Sequence, residues 1–475
     1  MAYIAGADRT QAVLLPDVLD DVVGADHPVR FLDAFVAQLD LAALGFRRAV
    51  PADTGRPGYD PGDLLRLYLY GYLQRIRSIR RLEQETHRNV ELMWLLRRLA
   101  PDVKTIADFR REHPAAVKRV GREFILLCQR LDLFGGELLA IDGSKFRAVN
   151  ARDRHYSAKR LAQLRQTIDA TLARYLQQLD GHDQHEPVVA TRRAAELQAR
   201  IAALQQRREG YEALQQHLTA TGATGCSLTD PDSRPMVSGL GVEICYNVQT
   251  AVDAKHKLIV AETVTNAAAD RAQLSPLALA APAVLQAPAL VVVADRGYDH
   301  GAEIKACLDA GITPLVPRPL TSANARRGLF TKDDFRYDAT PDVYRCPAGA
   351  TLTRRFTSVE LGRTIHTYRT AACGRCRLKA RCTRSPDGRK LTRWLHEDLL
   401  DAMAQRLRDQ PDLIRQRATL AEHPFGTMKR AMDQGYFLLK GLANVRGEFS
   451  LTVLAYNLKR VIRLLGVPRL LAALA

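Results

Sequence analysis

The chain has 475 residues, with 69 Lys and Arg against 52 Asp and Glu, a net charge of +17 and a pI near 9.7. Hydrophobic residues make up 47%, which excludes wholesale disorder, and the length leaves room for about two to four domains with real cores. An excess of positive charge this large points to a polyanionic partner, either nucleic acid or an anionic membrane surface.

The opening MAYIAGADRTQ lacks the basic and apolar regions of a signal peptide, and residues 1–50 carry few strong signals. After GRPGY, Asp60 can cap a helix with Pro61 at its first position, and the run LLRLYLYGYL is dense enough to be core. Short helices are expected from Ser78 to about His87, from Val90 to Arg98, and from Thr105, where Asp108 three residues on completes a capping-box pattern. A longer one starts near Pro114. Between Arg75 and Arg119 there are 12 Lys and Arg but 6 Asp and Glu. Residues 1–135 therefore read as an N-terminal all-α DNA-binding domain, with Arg80, Arg81, Arg110 and Arg111 as DNA-contacting candidates. A solvated charged bundle is the plainer alternative.

The apolar run GELLAIDGSKF reads as a buried strand whose last residue is the carboxylate Asp142, within a first core segment at 136–156. Over 157–222 apolar residues recur at three and four, from Leu161 to Leu179 and from Leu197 to Leu218, on either side of GHDQHEP. That pattern is an antiparallel helical-hairpin insertion, with arms of roughly 35–45 Å. Core sequence resumes over 223–320 with strands in VEICYNVQTAVD and KLIVAETVTN, a helix at about Arg271–Leu285, the strand LVVVADRGY ending at Asp295, a helix at about Gly301–Ala310 and the strand ITPLVP. The uncharged stretch from Ala272 to Ala294 is long enough to raise a membrane span. Pro276, Pro282 and Pro288 break it, so it reads as helix, turn and strand. A Cys-rich insertion occupies 321–400, and C-terminal helices fill 401–475. With no span and no signal peptide, the chain is expected in the cytoplasm, associated with the nucleoid, with double-stranded DNA as partner and no membrane.

With the insertions set aside, the core order is three strands, then helix, strand, helix, strand, helix. Asp142 closes the first strand, Asp295 the fourth, and Glu422 lies on the helix after the fifth. Three carboxylates brought together repel one another unless a cation joins them, and hard oxygen donors suit Mg²⁺ or Mn²⁺. Two such ions would serve an in-line phosphodiester displacement. Asp253 and Asp270 rival Asp295, although Asp270 reads better as the first residue of a helix. Glu448 rivals Glu422 but lacks a basic residue seven positions on, and its Gln variant is expected to be neutral.

The stretches AIDGSKFRA, TDPDSRPM, YNVQTAVD with HKLIVAETVTN, ADRGY and AEHPFGTMKR occur in this order, behind GRPGYDP and KTIADFRR. Together they resemble the DDE transposases of bacterial insertion sequences, and among these the family numbered eleven eighty-two. The resemblance implies an α/β ribonuclease-H-like core with a mixed five-stranded sheet, and a catalytic triad falling on Asp142, Asp295 and Glu422. It also implies that Lys429, seven residues past Glu422 and beside Arg430, contacts DNA phosphate. Arg296 reads as a further phosphate contact, and Tyr298 as packing beside the metal site or touching DNA. The activity implied is binding of terminal inverted repeats by a homodimer or higher oligomer, cleavage of the DNA ends and joining of the 3′-hydroxyls to target DNA. A nuclease without strand transfer and a domesticated, catalytically silent DNA-binding protein are the alternatives.

Four of the eight cysteines cluster: Cys346, Cys373, Cys376 and Cys382. Only Cys373 and Cys376 have tight C-x2-C spacing. The readings are a structural Zn²⁺, free thiols, or a zinc site completed by His366 or His396.

Overall fold

The computed structural model describes residues 18–51, 58–150, 155–181, 187–222, 225–239, 241–285, 289–319 and 322–474. The MAYIAGADRTQ opening, residues 55–57 of the GRPGYDP stretch, the centre of the hairpin turn at 182–186 and Pro288 lie outside them.

Six helices come first: α1 (Pro28–Ala37), α2 (Pro61–Leu73), α3 (Ile79–Thr86), α4 (Val90–Leu95), α5 (Val103–Glu112) and α6 (Pro114–Arg130). Side-chain caps fix several starts. Asp60 accepts the Gly62 amide at 2.7 Å ahead of Pro61, and Asn89 accepts from Glu91 and Leu92. Helix α5 begins before the expected Thr105, because Asp102 accepts the Thr105 amide at 2.6 Å and is itself the cap. Helix α2 is buried from Pro61 through Tyr72, as its apolar density requires. The weakly patterned leader supplies core as well, through Phe31, Leu32 and Phe35 of α1.

The chain then forms β1 (Leu138–Arg147), β2 (His155–Ser157), α7 (Ala158–Gly181), α8 (Pro187–Thr221), β3 (Gly225–Ser227), β4 (Arg234–Ser238), β5 (Gly241–Asp253) and β6 (Ile259–Thr265). Next come α9 (Leu274–Ala280), α10 (Pro282–Leu285), β7 (Leu290–Val293), α11 (Gly301–Asp309) and β8 (Ile312–Leu315). The main sheet is mixed, ordered β4-β5-β1-β7-β8 with β6 also on β5. It has six strands rather than five, because Arg234–Ser238, which begins within the TDPDSRPM stretch, pairs along the first residues of β5. Strand β1 does not end at Asp142. It continues to Arg147 because β5 keeps pairing with it as far as Cys245, whereas its parallel pairing with β7 stops at Ala140. Asp142 therefore stands two residues past the end of that parallel pairing, where the sheet opens. The single helix expected at 271–285 is two, α9 and α10, divided before Pro282.

Helices α7 and α8 pack antiparallel between the paired strands β2 and β3, around Leu161, Ile168, Tyr211 and Leu218. Arg208 meets Asp169 at 2.6 Å across them. The second arm has 35 residues, so it spans about 50 Å and exceeds the expected length.

Beyond α12 (Ala323–Arg326), a second, wholly antiparallel sheet is built from β9 (Arg336–Asp338), β10 (Val343–Arg345), β11 (Thr351–Glu360), β12 (Arg363–Arg369) and β13 (Leu391–Trp394), with the short α13 (Lys379–Cys382) between the last two. Its strands follow chain order and enclose Phe335, Tyr344, Leu352 and Tyr368. The chain continues with α14 (Glu397–Asp409), α15 (Pro411–Gly426), α16 (Leu442–Leu465) and α17 (Val467–Ala472). Helix α16 is buried along most of its length and joins the N-terminal helices and the main sheet in one continuous core. Among the described residues no helix is long and apolar enough to cross a membrane.

Candidate active site

Ala140 and Val293 lie side by side on β1 and β7, and Leu420 and Ala421 of α15 pack over them with Leu315. Side chains alternate along a strand, so the next residues on that face are Asp142 and Asp295. Asp295 turns the chain: its Oδ1 accepts the Gly297 amide at 2.8 Å and caps the 3₁₀ turn Arg296–Tyr298. Asp142 Oδ1 accepts the Gly143 amide at 2.8 Å, and its Oδ2 accepts from Arg417 Nη1 of α15 at 3.1 Å. Burial pushes the Asp142 carboxyl up to about 6; Arg417 and the Gly143 amide pull against it, while the charges of Asp295 and Asp270 push it further.

Arg417 carried no sequence signal that was used. One existed: no carboxylate lies three or four residues away on its own helix, so its partner had to come from another element.

Glu422 lies on the exposed side of α15, two residues past the buried Leu420. Just beyond it the helix widens into a π turn over Thr427–Ala431, a departure that clusters at functional sites. Within that turn Lys429 Nζ donates to Ser144 Oγ at 2.7 Å and to the Lys145 carbonyl at 2.9 Å, tying the segment to β1 just past Asp142. Burial lowers the Lys429 pKa. The structure thus brings Asp142 and Asp295 together under α15 and leaves Glu422 on the solvent side of the same helix.

Arg296 and Arg430 are exposed, as are Arg80, Arg81 and Arg111, the last paired with Asp108 at 2.7 Å. Two expected DNA contacts are not on the surface. Tyr298 is fully buried, its hydroxyl donating to Gln249, because the 3₁₀ turn folds it under the sheet edge. Arg110 is 5% exposed with its guanidinium 5.7 Å from the Tyr68 ring, since α5 presents that face to α2.

The rivals separate cleanly. Asp253 is buried and holds a turn, accepting from the amides of Gly135, Gly136 and Lys255. Glu448 is buried against Arg77 at 2.7 Å and accepts the amides of Leu438 and Leu439. Asp270 is not a helix's first residue, since α9 starts at Leu274. Its carboxylate instead accepts from Asn247, Gln249 and Lys145.

The four clustered cysteines meet. Cys346, Cys373, Cys376 and Cys382 line one small cavity at the end of the second sheet, and His366 and His396 are not among its walls. Gly388, at φ +82°, has its Cα face pressed so close to Cys373 that a Cβ would lie 2.6 Å from that residue's own. The Arg389 amide points at Cys373 Sγ at 3.4 Å. Burial raises the Cys382 thiol, and the neighbouring sulfurs raise it further. Among the described residues, neither here nor at the carboxylates do three Asp, Glu, His or Cys side chains stand in an arrangement ready to coordinate an ion.

Two family models match the chain: one described as a transposase domain over residues 17–112, and one described as a transposase DDE domain over residues 345–462. The chain is a DDE transposase. The first match takes in the basic helices α1 to α5; the second takes in the cysteine cluster, Glu422 and Lys429. Asp142 and Asp295 precede the second match, and their pairing under α15 is a finding of the fold. The transposase acts on DNA, cutting and joining strands in a metal-dependent reaction. No curated protein and no solved structure matches it.

Proposed function

We propose that Asp142, Asp295 and Glu422 form the transposase's catalytic triad on a ribonuclease-H-like core, and would hold two Mg²⁺ or Mn²⁺ ions. The donor set suits such ions: hard carboxylate oxygens, with Asp142 pushed up by burial and by the charges of Asp295 and Asp270, and one guanidinium, Arg417, opposing them. When bound, the ions supply activation of the attacking oxygen and neutralisation of the leaving one. The protein's own part is to orient. The β1–β7 pairing fixes the two aspartates, α15 sets Arg417 on Asp142 and would offer Glu422 from its exposed side, and Lys429, Arg430 and Arg296 present positive charge to the phosphates of the cleaved end. The exposed Arg80, Arg81 and Arg111 bind the terminal inverted repeats, in a homodimer or higher oligomer on the nucleoid DNA of the cytoplasm. The mobile unit is an insertion sequence of the family numbered eleven eighty-two, and the 3′-hydroxyls are joined to target DNA.

The single observation that carries this reading is the approach of Asp142 and Asp295, each two residues past the last parallel pair, Ala140 with Val293, and near enough for the Asp295 charge to act on Asp142 where the sheet opens. The test is Mg²⁺-dependent cleavage of a labelled element end beside a gel shift on the same DNA. Asp142→Asn and Asp295→Asn should bind and not cut. Wild-type cleavage by either would overturn the assignment.

We further propose that Cys346, Cys373, Cys376 and Cys382 hold one structural Zn²⁺. The meeting of all four thiols around one cavity, with a backbone amide directed at one sulfur, fits thiolate ligands.

A further inference from the structure

The charge of the chain is unevenly spread. Residues 321–395, which build the second sheet and its connections, hold 17 Lys and Arg against 6 Asp and Glu, a net +11 of the whole chain's +17. Some of these cations serve the fold and are paired accordingly. The Arg393 guanidinium lies 3.7 Å from the centre of the Tyr337 ring and 2.8 Å from Asp401, Lys332 meets Glu397 at 2.7 Å, and Arg354 meets Asp342 at 3.5 Å.

The outer face of the sheet is different. Tyr344, Leu352 and Tyr368 point into the small core, so their neighbours along the strands, Arg345, Thr351, Thr353 and Arg369, point away from it. Arg336 of β9 stands directly opposite Arg345 of β10 on that face, both exposed. Like charges so placed oppose strand pairing. Arg345 finds partial relief in Asp338, 3.9 Å away, while Arg336 has no ion pair among the described residues. The bulge in β11 between Arg354 and Phe356 adds Arg355, exposed and likewise without an ion pair among the described residues, and places the exposed Phe356 ring 5.7 Å from Lys390 Nζ. Two atoms of this face are shut off from water and lack a hydrogen-bond partner among the described residues: Oγ1 of the fully buried Thr367, and Arg369 Nε.

We propose that this outer face, from Arg336 and Arg345 across to Arg369 and Lys390, is a surface that grips duplex DNA by its phosphates without reading sequence. It is separate from the N-terminal helices and from the aspartate pair, and stands whether or not those assignments do. Arginine, lysine and threonine hold phosphate and sugar oxygens, and such contacts position a duplex rather than specify it. A row of phosphates supplies the counter-charge that the fold withholds from Arg336 and Arg355, and the acceptor that Arg369 lacks. The chain acts on DNA, which favours duplex phosphates over an anionic membrane as the source.

The experiment follows the fluorescence anisotropy of a labelled mixed-sequence duplex, free of any element end, against the full-length transposase over a salt series. The double variant Arg336→Ala/Arg345→Ala should bind about tenfold more weakly at moderate salt, with a log–log salt slope shallower by about two. Its melting temperature should equal or exceed that of wild type, because a repelling pair has gone. Arg336→Lys/Arg345→Lys keeps the charge and should retain most of the affinity. Arg355→Ala is an independent arm on the bulge, serving even if the double variant folds poorly, and should make the slope shallower by about one. Affinity and slope unchanged in both Ala variants would overturn the proposal. A loss of affinity accompanied by a lower melting temperature would mark the arginines as structural instead. Loss of binding to phosphatidylserine–phosphatidylcholine vesicles, with none on the duplex, would assign the face to a membrane and overturn it as well.

Discussion

Arg77, in the connection between α2 and α3, and Glu448 of α16 stand 371 residues apart in the chain and meet at 2.7 Å in the interior, Glu448 fully buried. Arg77 also donates to the Asp433 and Tyr436 carbonyls, so the pair fastens the loop before α16 as well as the helix itself.

Breaking that pair strands a buried charge. Glu448→Ala should destabilise the protein by about 3–5 kcal/mol, and Arg77→Ala by a similar amount. Glu448→Gln, expected from sequence to be close to neutral in cleavage, should lower the melting temperature, because it leaves Arg77 without a counter-charge. Chemical denaturation of the three variants checks this. A melting temperature unchanged in Glu448→Gln would show that hydrogen bonding alone suffices there.

Asp142 gives stability a pH dependence of a definite sign. Its carboxyl ionises near 6 in the fold and near 3.8 in an unconstrained chain, so between those values the folded state holds a proton that the unfolded state releases. Stability from this group is therefore lost as pH rises from about 4 to about 6, an effect on the order of 2–3 kcal/mol. Metal-free Asp142→Asn should melt higher than wild type at pH 7.5 and near it at pH 4. Added Mg²⁺ should raise the wild-type melting temperature at pH 7.5 but not at pH 5, and scanning fluorimetry at the three pH values reads both.

Glu422→Gln and Lys429→Ala should differ in kind. The first should abolish cleavage and leave the gel shift intact. The second should weaken hold on the cleaved end and also loosen the π turn, since Lys429 is bound to Ser144 and the Lys145 carbonyl. Normal cleavage by Glu422→Gln would remove the third member of the proposed triad.

Elemental analysis of protein purified without added metal should find about one zinc per chain, falling on replacement of Cys373 or Cys376 by Ser. A metal-free protein with a folded second sheet would leave these residues as half-buried free thiols.

Binding to DNA should fall steeply with salt, because a chain of net charge +17 must displace counterions from several phosphates. An association constant equal at 50 and 200 mM salt would sink the basic-surface argument.

The main strands and helices were legible because each carries its own periodicity: the alternation and apolar runs of β1, β5 and β7, and the three-four spacing of α7 and α8. Strand order led to the expectation that Asp142 and Asp295 lie near one another, although β1 runs on past Asp142 to Arg147. What escaped depends on contacts between distant segments. Arg110 and Arg111 are adjacent in a basic stretch, and only the packing of α5 on α2 decides which is buried. Asp270 looked like a helix start because its partners, Asn247 and Gln249, sit on a strand 23 and 21 residues earlier. The second sheet was missed because its longest strand, β11, is mostly exposed and polar, and β12 is half-buried along most of its length, neither with a clear alternation.

Helix α16 closes the core that α2 and α6 begin, and Gln434, just before it, donates to the Tyr72 carbonyl at 3.0 Å. During synthesis, therefore, the basic helices leave the ribosome several hundred residues ahead of the segment that completes them. Until then Arg77 has no counter-charge and the apolar flank of α2 no cover, so a nascent or prematurely terminated chain offers chaperones and proteases a half-built surface. Translation that stops short of Glu448 would yield a product cleared by the cell rather than a free-standing competitor for the element's ends.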